Sequence, residues 1–309
     1  MGKGRIVNGN IREDLKFDND NYYVRNFESL EKFYDFCETE IPPTKDGYVF
    51  SSHSKSYDAK KSKGTKDWEE AVNIARFGWH EGLKDLDYYE ELADRDYSKR
   101  EHSNLWDIEL STQGAYVDVE AYLTGQPECM CEFKSKEVNR FADIVVNSAY
   151  SCFVKKETVF NRGREIMKLV DVLEKNNIKT RIVLFNIIST SGINRGDKYI
   201  SKIVAKEYNQ MLDQDQLAFP LLHASFLRRY FFACIEQEED IRGKFGVFGG
   251  YGYPCHISKL HKEIVAEKER NTHLFMFDDI NHLDEQVKSV KESVINIISG
   301  KKEIINATI

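Results

Sequence analysis

Residues 142–151 read ADIVVNSAYS, a short apolar run from Ala142 to Asn147 that ends in a polar loop. A nearly continuous apolar run of this length fits a strand covered on both faces. Downstream, Glu157 to Asn176 carries Ile166, Leu169, Val170 and Leu173 at i, i+3, i+4 and i+7, which predicts a helix, and KTRIVLF (179–185) predicts the next strand. Strand, loop, helix and strand in this order point to an α/β fold, with a right-handed crossover if the two strands are parallel. A third strand of the same sheet is expected at HLFMF (273–277). A helix through Val287, Val290, Val294 and Ile298 follows it and ends at Gly300.

Working outward, the chain divides into a polar arm and loop (1–65), a helical and short-strand subdomain (66–135), the α/β core (136–300) and a tail (301–309). The arm carries one amphipathic helix around Leu30, Phe33, Tyr34 and Phe36, stopped by Ile41-Pro42-Pro43. A second helix starts at Asp67, whose side chain can cap it, with Glu70 completing a box-like pair and Gly78 breaking it. WDIEL, AYVDVEAYL and CMCEF read as short strands around the turn Gly125-Gln126-Pro127. Tyr199, Ser201, Ile203 and Ala205 alternate like an edge strand, and a long buried helix carries Leu227, Tyr230, Phe231 and Cys234. GKFGVFGGYGYP (243–254) has too many glycines for a regular element and reads as a loop or lid.

With 51 acidic against 44 basic residues the net charge is −7, which argues against broad electrostatic attraction to nucleic acid while allowing a local basic patch. No apolar run approaches the roughly 18 residues of a membrane span. The N-terminus lacks the apolar segment of a secretory signal. Six cysteines without scaffold spacing fit reduced thiols, so a cytoplasmic protein is expected.

The unit from Ala142 to Phe185 resembles the opening of a von Willebrand factor A-type domain, whose first strand ends in a metal-binding Asp-x-Ser-x-Ser loop. Here Asn147 stands at the Asp and Ala149 at the first Ser, and Ser151 is retained. No apolar strand ending in Asp-Gly, which that class usually supplies, follows between Phe185 and Gly250. The resemblance implies a von Willebrand A-like, Rossmann-type sheet flanked by helices, with an N-terminal helical or irregular extension. The strings TKDWEEAVNIARFGWHEGL (65–83), VDVEAYLTGQPECM (117–130), NRGREIMKLVDVLE (161–174) and LAFPLLHASFLRR (217–229) resemble a family of uncharacterised bacteriophage proteins. That resemblance implies the cytoplasm of a host cell and brings no activity with it.

Ligands of open α/β sheets bind beyond the carboxyl ends of the strands. Asn147, Ser151, Asp278 and Asp279 would gather there as oxygen ligands for Mg²⁺, with Asn147 lending an oxygen but no charge. The competing reading is that Asn147 and Ser151 cap a turn while the two carboxylates start the last helix. Cys129, Cys131, Cys255, His256 and His261 lack ordinary zinc spacing and read as packing residues. No nucleophile accompanies His53, His80, His223 or His282. Phe248, Tyr251 and Tyr253 on their glycine frame suit contact with a partner protein. Lys55, Lys60, Lys61, Lys63 and Lys66 form either a phosphate-contacting patch or a solvated loop. Two functions follow: a binding module that grips a partner macromolecule with its strand-end loops, or a divalent-metal enzyme acting on a nucleotide or nucleic acid.

Overall fold

The computed structural model describes residues 3–7, 10–41, 50–55, 59–84, 106–114, 116–135, 140–191, 196–247, 250–260, 264, 272–298 and 306–307. Strands β1 (Lys3–Val7), β2 (Asn10–Phe17) and β3 (Asp20–Phe27) open the chain, followed by α1 (Leu30–Glu38), α2 (Ala59–Lys63) and α3 (Trp68–Phe77). A small unit comprises β4 (Trp106–Ser111), β5 (Tyr116–Val117), α4 (Val119–Leu123) and β6 (Met130–Ser135). Then come β7 (Arg140–Asn147), α5 (Lys156–Lys175), β8 (Ile178–Ser189), β9 (Lys198–Lys206) and α6 (Gln214–Leu222). A π-helical stretch, Phe226–Phe231, runs into α7 (Phe232–Glu236). After it come α8 (Glu239–Arg242), β10 (Tyr253–Pro254), β11 (Thr272–Phe277), α9 (Leu283–Ile298) and β12 (Asn306–Ala307).

The fold is mixed α/β. Its main sheet has the order β1-β2-β3-β9-β8-β7-β11-β12, with β10 paired to β8. β7 is parallel to β8 on one side and to β11 on the other, so the three strands expected from the apolar runs are direct neighbours. Alternate residues of β7 and β8 point to opposite faces: Ile144, Val146, Ile182 and Leu184 join the large cluster that receives the helices. Val145, Val183 and Phe185 pack instead with Cys255, Ile257 and Leu260. Burial on both faces is why the strands read as unbroken apolar runs.

Three expectations are corrected. β9 is interior, antiparallel to β8 and parallel to β3, because Lys3–Val7, Asn10–Phe17 and Asp20–Phe27 form strands of the main sheet where a helical or irregular extension was expected. Polar side chains hid these strands: Arg12 and Arg25 are buried, and their charge is met inside by Glu238, which Arg12 reaches at 2.8 Å. In AYVDVEAYL only Tyr116–Val117 is strand, because Asp118 accepts the Ala121 N–H at 2.8 Å and caps α4. The buried helix around Leu227 is not regular α-helix but begins as a π-helix. Helices α1 and α3 lie where expected, α3 with Asp67 as its cap and Gly78 at its end with φ 86°. Gly300 lies outside the described residues. No described helix is long and apolar enough to cross a membrane.

Candidate functional site

The chain runs from β7 to β8 and β9 on one side and later returns to place β11 on the other, so the order reverses at β7. Such a switch point opens a crevice beyond the strand ends. Here Asn147 ends β7 and Asp278 follows β11, and the two meet: the Asn147 amide donates to Asp278 Oδ1 at 3.2 Å and to the Cys255 carbonyl at 2.9 Å. Asp278 also accepts the backbone N–H groups of Ile257 at 2.6 Å and Ser258 at 3.1 Å, so both carboxylate oxygens serve to hold the 255–258 segment. Asn147 Oδ1 accepts the Ala149 N–H at 3.1 Å, an Asx-type turn. Ser151 does likewise for Phe153 at 3.4 Å, and Asp279 turns to Asn281 at 2.9 Å and His282 at 3.0 Å. Of the four residues singled out in the sequence, Asn147 and Asp278 touch, while Ser151 and Asp279 bond to neighbours in their own turns. Among the described residues no group of three or more His, Cys, Asp or Glu side chains could hold a metal ion.

The loop that leaves this point, residues 148–155, leads into α5, and two adjoining crevices flank the start of that helix. They measure about 660 and 820 Å³ and share Lys156 and Glu157. Both fall in the ~300–1,000 Å³ range of ligand pockets. Lys63, Lys84, Lys155, Lys156, Arg164 and Arg228 line them, whereas Glu157 is the carboxylate among the described lining residues. In a chain of net charge −7 this is a marked segregation of cations.

How these cations are held is the informative feature. Lys156 donates to the Lys60 carbonyl, and Arg228 to the carbonyls of Ser62, Cys152 (3.3 Å) and Val154 (3.1 Å). Lys63 donates to the Ser51 carbonyl, to Ser51 Oγ at 3.0 Å and to Ser54 Oγ. Among the described residues none of the three forms an ion pair with a carboxylate. Carbonyl dipoles satisfy donors without cancelling charge. Burial, with Arg229 close by, pulls the Lys63 ammonium down to about 8, and burial beside Arg228 lowers Lys156. Behind the crevices, Arg229 is buried and donates to Thr65 Oγ1 at 2.7 Å and to the Ser52 carbonyl at 2.6 Å, and burial lowers it too.

Of the lysines singled out in the sequence, Lys60 and Lys63 reach this cation cluster. Lys55 and Lys66 are exposed, and the Lys61 side chain lies outside the described residues. Lys84, Lys155, Lys156, Arg164 and Arg228 were missed. The signals were Lys155-Lys156 directly after a strand-end loop and Arg228-Arg229 inside an apolar stretch. The π-turn, a feature enriched at functional sites, aims the first arginine at the crevice and the second inward. In the glycine-rich segment, Tyr251 is stacked on Phe232 with ring centroids 3.7 Å apart and donates to buried Glu236, so its ring belongs to the body of the fold. Tyr253 is exposed; Phe248 and His261 lie outside the described residues.

Residues 6–299 match the family described as a domain of unknown function, DUF7192. The chain belongs to this family. No curated protein and no solved structure matches it. The match spans β2 to α9, so the DUF7192 domain takes in the N-terminal strands, the small sheet and the crevices together.

Proposed function

We propose that this protein is a binding module whose strand-end face grips a polyanionic partner through the two crevices at the start of α5. The observation that carries the reading is the set of lysines and arginines bonded to carbonyl and hydroxyl oxygens instead of carboxylates. A partly desolvated cation with no carboxylate bonded to it gains from an arriving anion, because the attraction is screened least where water is excluded, and Glu157 and Glu236 act on Lys156 and Lys63 only through space. The first turn of α5, a 20-residue helix, adds its dipole on the same side. The von Willebrand A-like reading of the strand–loop–helix unit is consistent with ligand contact at this edge, and the phage-like strings would set that contact in a host cytoplasm.

The test is binding of inorganic polyphosphate, followed by calorimetry over a range of salt. Affinity should fall linearly in log–log form as salt rises. Lys84→Glu with Lys155→Glu, both exposed side chains, should weaken binding at least tenfold at unchanged melting temperature. Absence of polyphosphate binding at low salt would remove the reading.

A second reading, contact with a protein, rests on the small sheet, where Leu110, Tyr116, Val117, Val119, Tyr122 and Leu123 are all exposed. So many large apolar side chains on one short unit mark an interaction surface more often than a free one. Leu123→Lys with Tyr122→Lys would abolish such a contact and leave polyphosphate binding intact.

A further inference from the structure

We propose that the polyanion is single-stranded nucleic acid, with an unpaired base stacked on Phe153 and the adjoining phosphates drawn in beside Lys156; this rests on the anion-binding reading above. Phe153 is 91% exposed at the tip of the loop between β7 and α5, and it lines the larger crevice. An apolar ring of this size in water stands out when the backbone that carries it is held in place, as it is here. The Val154 N–H closes a turn on the Ser151 carbonyl at 3.1 Å, and Arg228 donates to the carbonyls on either side of the ring, Cys152 and Val154. The phenyl group is therefore presented on a fixed turn, at small entropic cost on contact.

A ring on a fixed turn beside a cation-lined groove combines the two elements that bind single strands without sequence preference, stacking and backbone charge. Trp79 and Phe160 in the adjoining crevice, with ring centroids 6.1 Å apart, continue the apolar surface past Lys156. Lys63 and Lys156 are half-buried, so phosphates must enter the crevices to reach them. A single strand is thin enough to do so. A duplex is not, and it keeps its base faces stacked away from Phe153.

The experiment is fluorescence anisotropy with a labelled oligothymidylate, a labelled duplex of equal length, and inorganic polyphosphate as competitor. The single strand should bind more tightly than the duplex. Phe153→Ala should weaken it by about tenfold while Phe153→Trp restores it, in line with stacking losses of ~1–3 kcal/mol per base. Polyphosphate binding and melting temperature should be the same in all three proteins. Equal or tighter duplex binding, or an unchanged single-strand affinity in Phe153→Ala, would overturn the inference while polyphosphate binding keeps the broader reading. Loss of neither ligand in Lys84→Glu with Lys155→Glu would overturn both.

Discussion

At His223 the Nδ1 atom accepts the Ser225 backbone N–H at 3.2 Å, so that nitrogen holds no proton. Trp79 packs edge-on at 4.6 Å, and burial, with Lys156 nearby, pushes the imidazole down to about 4. The unfolded chain would titrate near ~6.5. Below that pH the unfolded state binds the proton that the folded state refuses, so stability is lost as pH falls from about 6.5 towards 4. His53, also held at about 4 by burial and Arg229, acts in the same direction. Urea titrations at pH 7 and pH 5 should show the wild type losing on the order of 1–2 kcal/mol to His223, with a smaller, solvent-screened loss from His53. His223→Gln should lose less between the two pH values; an equal loss would remove His223 from the account. Sequence alone found no nucleophile beside His223 and could not name its partner, because the Ser225 N–H reaches it only through the turn after α6. Asn147 was legible in the same limited way. Its turn-forming habit is local, whereas Asp278 arrives from 131 residues away.

Among the elements, α5 was the most legible, since its apolar stripe runs from Val159 to Leu173, about four turns of one helix. Its Gly163 looks like a blemish by propensity, because Gly costs about 1 kcal/mol against Ala in a helix interior. The reason lies across the interface: a Cβ at Gly163 would sit 2.3 Å from the Leu221 carbonyl oxygen of α6. Backbone cannot yield as a flexible side chain can, and overpacking of this kind costs ~1–3 kcal/mol. Gly163→Ala should therefore lower the melting temperature by a few degrees despite the better helix former, as differential scanning fluorimetry would show. A rise would mean that α5 and α6 are free to separate. The least legible element was α4. VDVEAYL alternates well enough for a strand, and only the Asp118 cap and a position at the end of a two-residue strand make it helical.

For the molecule as a whole, the decisive junction joins the N-terminal strands to the far end of the helical layer. Glu238 follows α7 and takes Arg12 of β2 on one oxygen, at 2.8 Å, and Arg25 of β3 on the other, with all three side chains buried. Asp14 and Asp240, each 2.8 Å from Arg12, give that guanidinium two further carboxylates, whereas Arg25 has Glu238. Glu238→Gln would strand one guanidinium charge in the interior, and breaking a buried pair from one side costs ~3–5 kcal/mol. A urea midpoint shift of that size is expected in one cooperative transition; a shift below about 1 kcal/mol would mean that water reaches the arginines. Sequence by itself determined the α/β class, the presence of β7, β8 and β11 in one sheet, the helices between them and most of their ends, while their adjacency and parallel direction came from the structure. Each of these follows from apolar periodicity and capping, which act within about twenty residues of chain. Tertiary structure alone decided that the polar N-terminus is sheet, that β9 is interior and that Lys63, Lys156 and Arg228 share one crevice. Those outcomes depend on charges and donors separated by up to 228 residues, and a buried arginine looks solvated until its carboxylate is in place.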